Sequence, residues 1–149
     1  MLKIIPPRTV LVFTAETTLR QAPSFAGIIA ARLYATAAAG GVLPTGPINW
    51  VYTGADGKPD TVFILEICLP VDRIPDDIGE FQYKTLPSFT CIEVLHEGRW
   101  QELPHAYEKA MAIVSGEKKL PNGISREEYI HMDFGEGHNN VTLVQVGID

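Results

Sequence analysis

The chain has 149 residues, 46% hydrophobic and 20% charged, so it can bury one hydrophobic core as a single domain. Its formal net charge of −6 argues against a nucleic-acid-binding surface, because phosphate binding requires clustered Lys and Arg. Cys68 and Cys91 lack the spacing of a zinc site or redox motif, and we expect two reduced thiols in the core.

The first half of the chain predicts one helix among three strands. β-Branched and aromatic runs favour strands, whereas Pro23 and the pair Gly40-Gly41 mark the two ends of an Ala-rich helix. Because this helix is apolar almost all round, we expect it to be well covered. The predicted elements are a strand over 9–14, a helix over 23–39, and strands over 48–53 and 61–71.

The second half predicts the same order of elements. Its helix carries an apolar stripe at helical spacing, which includes Leu103, Tyr107 and Val114. The predicted elements are a lead-in over 81–85, a strand over 89–96, a helix over 100–115, and strands over 126–132 and 141–148.

A β-α-β-β unit that occurs twice predicts a pseudo-twofold fold with its pocket where the two halves meet. Alignment of the two final hairpins places Trp50 against Glu127 and Tyr52 against Tyr129. A carboxylate and three aromatic side chains would then meet at one seam. We therefore expect a single domain over 1–149, with repeat one at 8–72, a linker at 73–80 and repeat two at 81–149.

Three segments carry a resemblance to a known family. Residues 96–103 read His-x-Gly-x-aromatic-x-x-Leu, residues 126–130 contain Arg-Glu-x-Tyr, and residues 66–71 read Glu-Ile-Cys-Leu-Pro-Val. In this order the chain resembles the GyrI-like small-molecule-binding domain, which is the effector-binding domain of AraC-type and MerR-type multidrug regulators. The first half departs from the pattern, because residues 16–20 hold no His-x-Gly-x-Tyr.

The resemblance implies an α+β fold of the SHS2 type. Two β-α-β-β repeats would form an antiparallel sheet, with helices packed against it and a central cleft for flat, apolar and often cationic molecules. In the family a glutamate of the Glu-x-Tyr strand contacts the positive charge, and here that residue would be Glu127. Since the sequence has no recognisable helix-turn-helix, the resemblance implies a stand-alone binding domain.

The residues themselves are consistent with that role for Glu127. Glu127 and Tyr129 alternate along a strand and so share one face. A carboxylate in an aromatic cleft is poorly solvated and gains from a delocalised cation, and each aromatic face of Trp50 or Tyr52 adds about 0.5–2 kcal/mol. The alternative left open is a solvated Glu127, paired with Lys84 or the adjacent arginine.

Four further residues are candidates for the ligand-binding site. Glu66 lies in an apolar strand, where it is either a second cleft carboxylate or the buried partner of Arg32. Trp100 either covers the ligand or caps the sheet edge. The hydroxyls of Tyr107 and Tyr34 either enter the cleft or form hydrogen bonds in the core.

The favoured prediction is a cytoplasmic protein that binds small aromatic or cationic molecules, for sensing or for sequestration. The second is a hydrolase, similar to family members that open cyclopropane-bearing natural products, with Glu127 as the candidate catalytic residue that activates water or protonates a strained ring. The third is a protein-interaction role, like that of the gyrase inhibitors after which the family is named.

No cofactor, metal, membrane or direct nucleic-acid partner is expected. The four histidines lack HxxxH or CxxC companions, and no Gly-x-Ser-x-Gly elbow, P-loop or dinucleotide fingerprint is present. We recognise no secretory signal or membrane span, which favours the cytoplasm. A homodimer is left open.

Overall fold

The computed structural model describes residues 1–77 and 79–149. Within these ranges an eight-stranded antiparallel sheet carries two α-helices. The elements are β1 (Leu2–Ile5), β2 (Arg8–Thr17), α1 (Pro23–Ala39), β3 (Asn49–Thr53), β4 (Phe63–Pro70), β5 (Gln82–Leu86), β6 (Phe89–Glu97), a 3₁₀ turn (Trp100–Glu102), α2 (Leu103–Gly116), β7 (Pro121–His131) and β8 (Val141–Ile148).

The strand order confirms the α+β fold of two β-α-β-β repeats. The sheet runs β1-β6-β8-β7-β3-β4-β2-β5, and every neighbouring pair is antiparallel. Repeat one supplies β2-α1-β3-β4, repeat two supplies β6-α2-β7-β8, and β3 and β7 meet at the centre. Trp50 pairs directly with Glu127, its counterpart in the alignment of the halves, so the pseudo-twofold axis passes between them.

Each edge strand immediately precedes the first strand of one repeat and pairs with the first strand of the other. β1, which the sequence patterns did not predict, pairs with β6, whereas β5 pairs with β2 and is a strand of its own rather than a lead-in. Pro6 and Pro7 alone separate β1 from β2, and Pro87 and Ser88 alone separate β5 from β6. Because such short connections join strands from opposite ends of the strand order, the sheet has to curl.

Both helices pack on the outer face of the curled sheet, and they leave the central strands between them. α1 lies on β2 and β4, and α2 lies on β6 and β8. The buried residues lie one helical turn apart: Ile29, Leu33 and Ala37 in α1, and Ala106, Ala110 and Val114 in α2. The central strands β3 and β7 therefore lie between the parts of the sheet that the two helices cover.

The expectation that α1 is covered all round is wrong. It buries a single stripe, and Ile28 on its outer side is 65% exposed. Its Ala- and Gly-rich sequence has no distinct polar face, so the pattern alone does not indicate which side packs. In the part of the chain that the structure describes, no helix combines the length and the apolar character that a membrane crossing requires.

Candidate functional site

Glu127 lies on the face of the sheet that carries the helices, where Tyr107 of α2 reaches it. It belongs to the central strand β7, directly opposite Trp50 of β3, and it is only 5% exposed. Strand alternation brings Tyr129 of β7 and Tyr52 of β3 to the same face. The seam that the sequence predicts therefore brings together a carboxylate and these three aromatic side chains.

Three tyrosine hydroxyls donate hydrogen bonds to this carboxylate. Tyr129 donates to Oε1 at 2.6 Å and Tyr52 to the same oxygen at 3.1 Å. Tyr107, which projects from α2, donates to Oε2 at 2.5 Å. The carboxylate is thus held by donors from β3, β7 and α2, and so from both repeats. These bonds are strong, because hydrogen bonds to a charged group are stronger than those between neutral groups.

The charge of Glu127 has no cationic counterpart in the described part of the chain. The ion pairs found there involve other carboxylates. Burial raises the pKa of Glu127 above its ordinary value, and the tyrosine hydrogen bonds lower it in part. Burial and the adjacent carboxylate raise the pKa of each tyrosine well above 10, so all three remain donors.

Aromatic rings form the walls around the carboxylate. The Trp50 ring meets Tyr129 edge to face at 5.6 Å between centroids and lies 6.1 Å from Tyr52. Trp100, from the 3₁₀ turn before α2, lies edge to face against Tyr129 at 6.1 Å, and its buried Nε1 has no hydrogen-bond partner among the described residues. Trp100 therefore belongs to the aromatic group around Tyr129 and has an unused hydrogen-bond donor.

An open depression of about 470 Å³ lies outside this aromatic wall. It is lined by Tyr129, whose hydroxyl donates to Glu127, and by Tyr34 of α1, which is 43% exposed. Met132 and Phe134 complete it, and the 80% exposed Phe134 ring lies 6.4 Å from Trp100. Neither Met132 nor Phe134 was predicted from the sequence. For Phe134 the available signal was an aromatic residue inside a turn of Asp, Gly and Asn.

The structure corrects the expectation for Glu66. Its side chain lies on the inner face of the sheet, opposite the helices, where it pairs with Lys84. Arg32, the partner expected as the alternative, pairs with Glu80 instead. Glu66 is therefore neither a second carboxylate beside Glu127 nor the partner of Arg32.

Metal-ligand geometry is not found in residues 1–77 and 79–149, where no three His, Cys, Asp or Glu side chains come together. In the described part of the chain, the hydrogen-bond partners of the Glu127 carboxylate are tyrosine hydroxyls. The arrangement is therefore suited to a charge held among aromatic rings rather than to a coordinated ion.

Comparison with known sequences identifies one family. Residues 2–147 match the family described as the GyrI-like small molecule binding domain. No curated protein matches the chain significantly.

Comparison with solved structures shows the same fold. The C-terminal domain of EcmrR is 20% identical with a TM-score of 0.84, over 100% of this chain and 96% of that one. SAV2435 bound to tetraphenylphosphonium is 14% identical with a TM-score of 0.67, over 100% and 93%. A hydrolase from Listeria innocua is 13% identical with a TM-score of 0.74, over 100% and 91%. At these identities the likeness concerns the fold alone.

Proposed function

Because the chain belongs to the family of GyrI-like small molecule binding domains, we propose that it binds small aromatic cations in the cleft above Glu127. One observation carries this proposal: a buried carboxylate held by three neutral hydroxyls, with no cation paired to it in the described structure. A bound cation would supply the missing charge.

The energetics favour a large, delocalised cation over a compact one. A small, strongly hydrated ion would lose its water shell on entering a cleft lined by Trp50, Tyr52 and Tyr129. An aromatic cation is weakly hydrated and gains cation–π attraction as well as the charge of Glu127. The outer depression beside Phe134 offers room for further rings. The structural relative SAV2435 bound to tetraphenylphosphonium supplies a first probe.

The proposal is tested by quenching of Trp50 and Trp100 fluorescence with tetraphenylphosphonium and with tetraphenylborate, an anion of nearly the same shape. We expect micromolar binding of the cation and at least tenfold weaker binding of the anion. Glu127→Gln should weaken cation binding at least tenfold, because the amide keeps the shape of the site and removes its charge.

Glu66→Gln is the matched control, since it removes a carboxylate from the same sheet on the opposite face. It should bind the cation as the wild type does. Equal affinity for cation and anion, or full affinity in folded Glu127→Gln, would show that Glu127 does not supply the charge of the site.

A sensing or sequestering role in the cytoplasm is the biological form we propose for this binding. Both cysteines are buried free thiols, which is consistent with a reducing compartment. A role in transcription regulation would require a partner to which the domain passes its signal. Size-exclusion chromatography with light scattering, with and without tetraphenylphosphonium, would show whether the domain works as a monomer or a homodimer.

A hydrolase is the second candidate function, because the raised pKa of Glu127 suits a general acid or base. Tyr107 and Tyr129 would then position the carboxylate against an electrophilic substrate. Incubation with cyclopropane-bearing aromatic compounds, followed by mass spectrometry, distinguishes the two functions. Addition of one water by the wild type but not by Glu127→Gln would establish hydrolysis, and intact ligand would favour the binding protein.

A further inference from the structure

A second cavity lies on the inner face of the curled sheet, away from the helices and from Glu127. Its volume is about 390 Å³, within the range of roughly 300–1,000 Å³ that is typical of small-molecule pockets. Apolar walls come from Val51, Leu86, Phe89 and Ile124, while Arg126 and Lys84 bring cations to it. The sheet therefore has a pocket on each side of its central strands.

Arg126 is a buried cation whose hydrogen-bonding capacity is largely unused. The residue is 4% exposed, and its guanidinium carbon lies 4.1 Å from the centre of the Phe89 ring. A single long contact of 3.5 Å reaches the carbonyl oxygen of Pro87, and Nε has no partner in the described structure. Burial lowers the pKa of this arginine, although the group stays charged at any ordinary pH.

The other cations of this face are paired with carboxylates. The pairs are Arg8 with Glu128, Lys3 with Glu93, and Lys84 with Glu66. Among the described ion pairs, none includes Arg126. Since a buried charge without a partner is strongly destabilising, an anion that reached this guanidinium would gain strongly.

Two neighbours of Arg126 on the same face also have unused polar atoms. Gln145, which lies directly opposite Arg126 in the adjacent strand, has a buried Oε1 without a partner. Asn49 of β3 has neither a donor for its oxygen nor an acceptor for its nitrogen within the described residues. Buried polar groups are normally satisfied, so this part of the inner face is unusually rich in unpaired polar atoms. Neither side chain lines the cavity, so of these three groups the Arg126 guanidinium is the one available to a guest there.

We propose that this cavity is a second binding site, which takes a small carboxylate with an apolar body. A carboxylate matches the two-pronged donor geometry of the Arg126 guanidinium, which remains stacked on Phe89. The apolar body would lie against Val51, Leu86 and Ile124. Glu66 and Asp149 also border the cavity, so a singly charged anion fits better than a phosphate with two or more charges.

This site is independent of the cation cleft. Arg126 and Glu127 are neighbours in β7, so their side chains leave the strand on opposite faces. The two pockets share a strand but no wall. A failure of cation binding at Glu127 therefore leaves this inference standing, and the reverse is also true.

The test compares 2-naphthoate with 2-naphthamide, which has the same rings and no charge, by isothermal titration calorimetry. Wild type should bind naphthoate with at least tenfold higher affinity than the amide. Arg126→Met removes the buried charge and keeps an apolar stem, so it should fold and lose naphthoate binding at least tenfold. Glu127→Gln, altered in the other cleft only, should bind naphthoate as the wild type does.

Ser88→Trp provides a second variant that keeps Arg126 and fills the cavity mouth from the β5–β6 connection. Its naphthoate affinity should fall as well, and it decides the question if Arg126→Met does not fold. The proposal is overturned by equal affinity for acid and amide, by no binding of naphthoate at millimolar concentration, or by unchanged affinity in a folded Arg126→Met or Ser88→Trp variant.

Discussion

At the scale of residues, Glu127 is a carboxylate stabilised by hydrogen bonds rather than by an opposite charge. Tyr52, Tyr107 and Tyr129 favour its ionised form, and burial opposes it. The balance raises its pKa above the ordinary value near 4.5. A carboxyl group whose pKa is raised by folding stabilises the fold most at a pH below the pKa that it has in the unfolded chain. That stability is lost as the pH rises through its pKa in the folded protein.

Cation binding should therefore depend on pH in the opposite direction to stability. The affinity for tetraphenylphosphonium should fall as the pH drops through the raised pKa of Glu127, approaching about tenfold per pH unit at the acid end. Tyr107→Phe removes a donor that favours the carboxylate, so the same loss should begin at a higher pH. Fluorescence titrations from pH 4.5 to 8 measure both curves.

Glu127→Gln serves as the reference for those titrations, since its side chain does not ionise. Its residual affinity should be flat over the same range. If the wild-type affinity were also flat, or if Tyr107→Phe moved the loss to lower pH, the carboxylate would not be the group that titrates.

At the scale of elements, β7 is the strand on which both proposed sites depend. It pairs with β3 and β8, and its alternating side chains supply Glu127 to the outer face and Arg126 to the inner face. The register shift between Pro121 and Ser125 bends this strand where it faces the end of β8. Gly147 of β8 lies against that bend.

Gly147→Ala should destabilise the fold by about 1–3 kcal/mol, because overpacking a close-packed site forces the backbone to shift. A Cβ there would lie 2.4 Å from Oδ1 of Asn122 and 2.7 Å from the carbonyl oxygen of Ile124. The matched control is Gly27→Ala in α1, where nothing lies within 4 Å of the added atom.

Gly27→Ala should stabilise the chain by about 0.5–1 kcal/mol, since alanine is the better helix former. Urea denaturation followed by circular dichroism measures both variants. A Gly147→Ala variant as stable as the wild type would mean that β7 and β8 move apart at no cost.

At the scale of the whole molecule, the two repeats are interlocked. The first strand of each repeat pairs with the short strand that precedes the first strand of the other, β6 with β1 and β2 with β5, and the central β3–β7 pair joins the repeats. The Glu127 carboxylate accepts hydrogen bonds from Tyr52 of repeat one and Tyr107 of repeat two. We therefore expect neither repeat to unfold without the other.

Single-tryptophan variants test this cooperativity, because Trp50 lies in repeat one and Trp100 in repeat two. In Trp50→Phe and in Trp100→Phe, urea unfolding followed by fluorescence should coincide with unfolding followed by far-UV circular dichroism. Comparison within each variant removes any difference in stability that the substitutions cause. Two separate transitions in either variant would show that the repeats fold independently.

Local patterns in the sequence were sufficient for most of the elements and for the positions of Glu127, Tyr129 and Trp50 on the sheet. Alternation placed Glu127 and Tyr129 on one face, and the internal repeat placed Trp50 opposite the carboxylate. These inferences succeeded because they use properties of a single strand or of two similar strands. The three motifs at 66–71, 96–103 and 126–130 indicated the family, and the family in turn indicated the fold.

Glu66 shows where local patterns fail. Strand β4 is apolar on both faces, so its alternation does not reveal which face meets the helices. Its pairing with Val51 in β3 places Glu66 on the inner face, and Lys84 reaches it only because β5 joins the far side of β2. That partner depends on a strand pairing that no local pattern encodes.

The sequence by itself determined the two repeats, the period of each strand and helix, and the face that Glu127 shares with Tyr129. The tertiary structure decided what surrounds that carboxylate: Tyr107 reaches it from a helix, Trp100 packs on Tyr129 from the turn before α2, and Phe134 packs on Trp100 from the β7–β8 connection. It also left Arg126 of the inner face outside the ion pairs found among the described residues. The periodicity of a sequence determines which side chains share a face of one helix or strand. Burial and charge pairing depend instead on how separate helices and strands pack, so only the tertiary structure decides them.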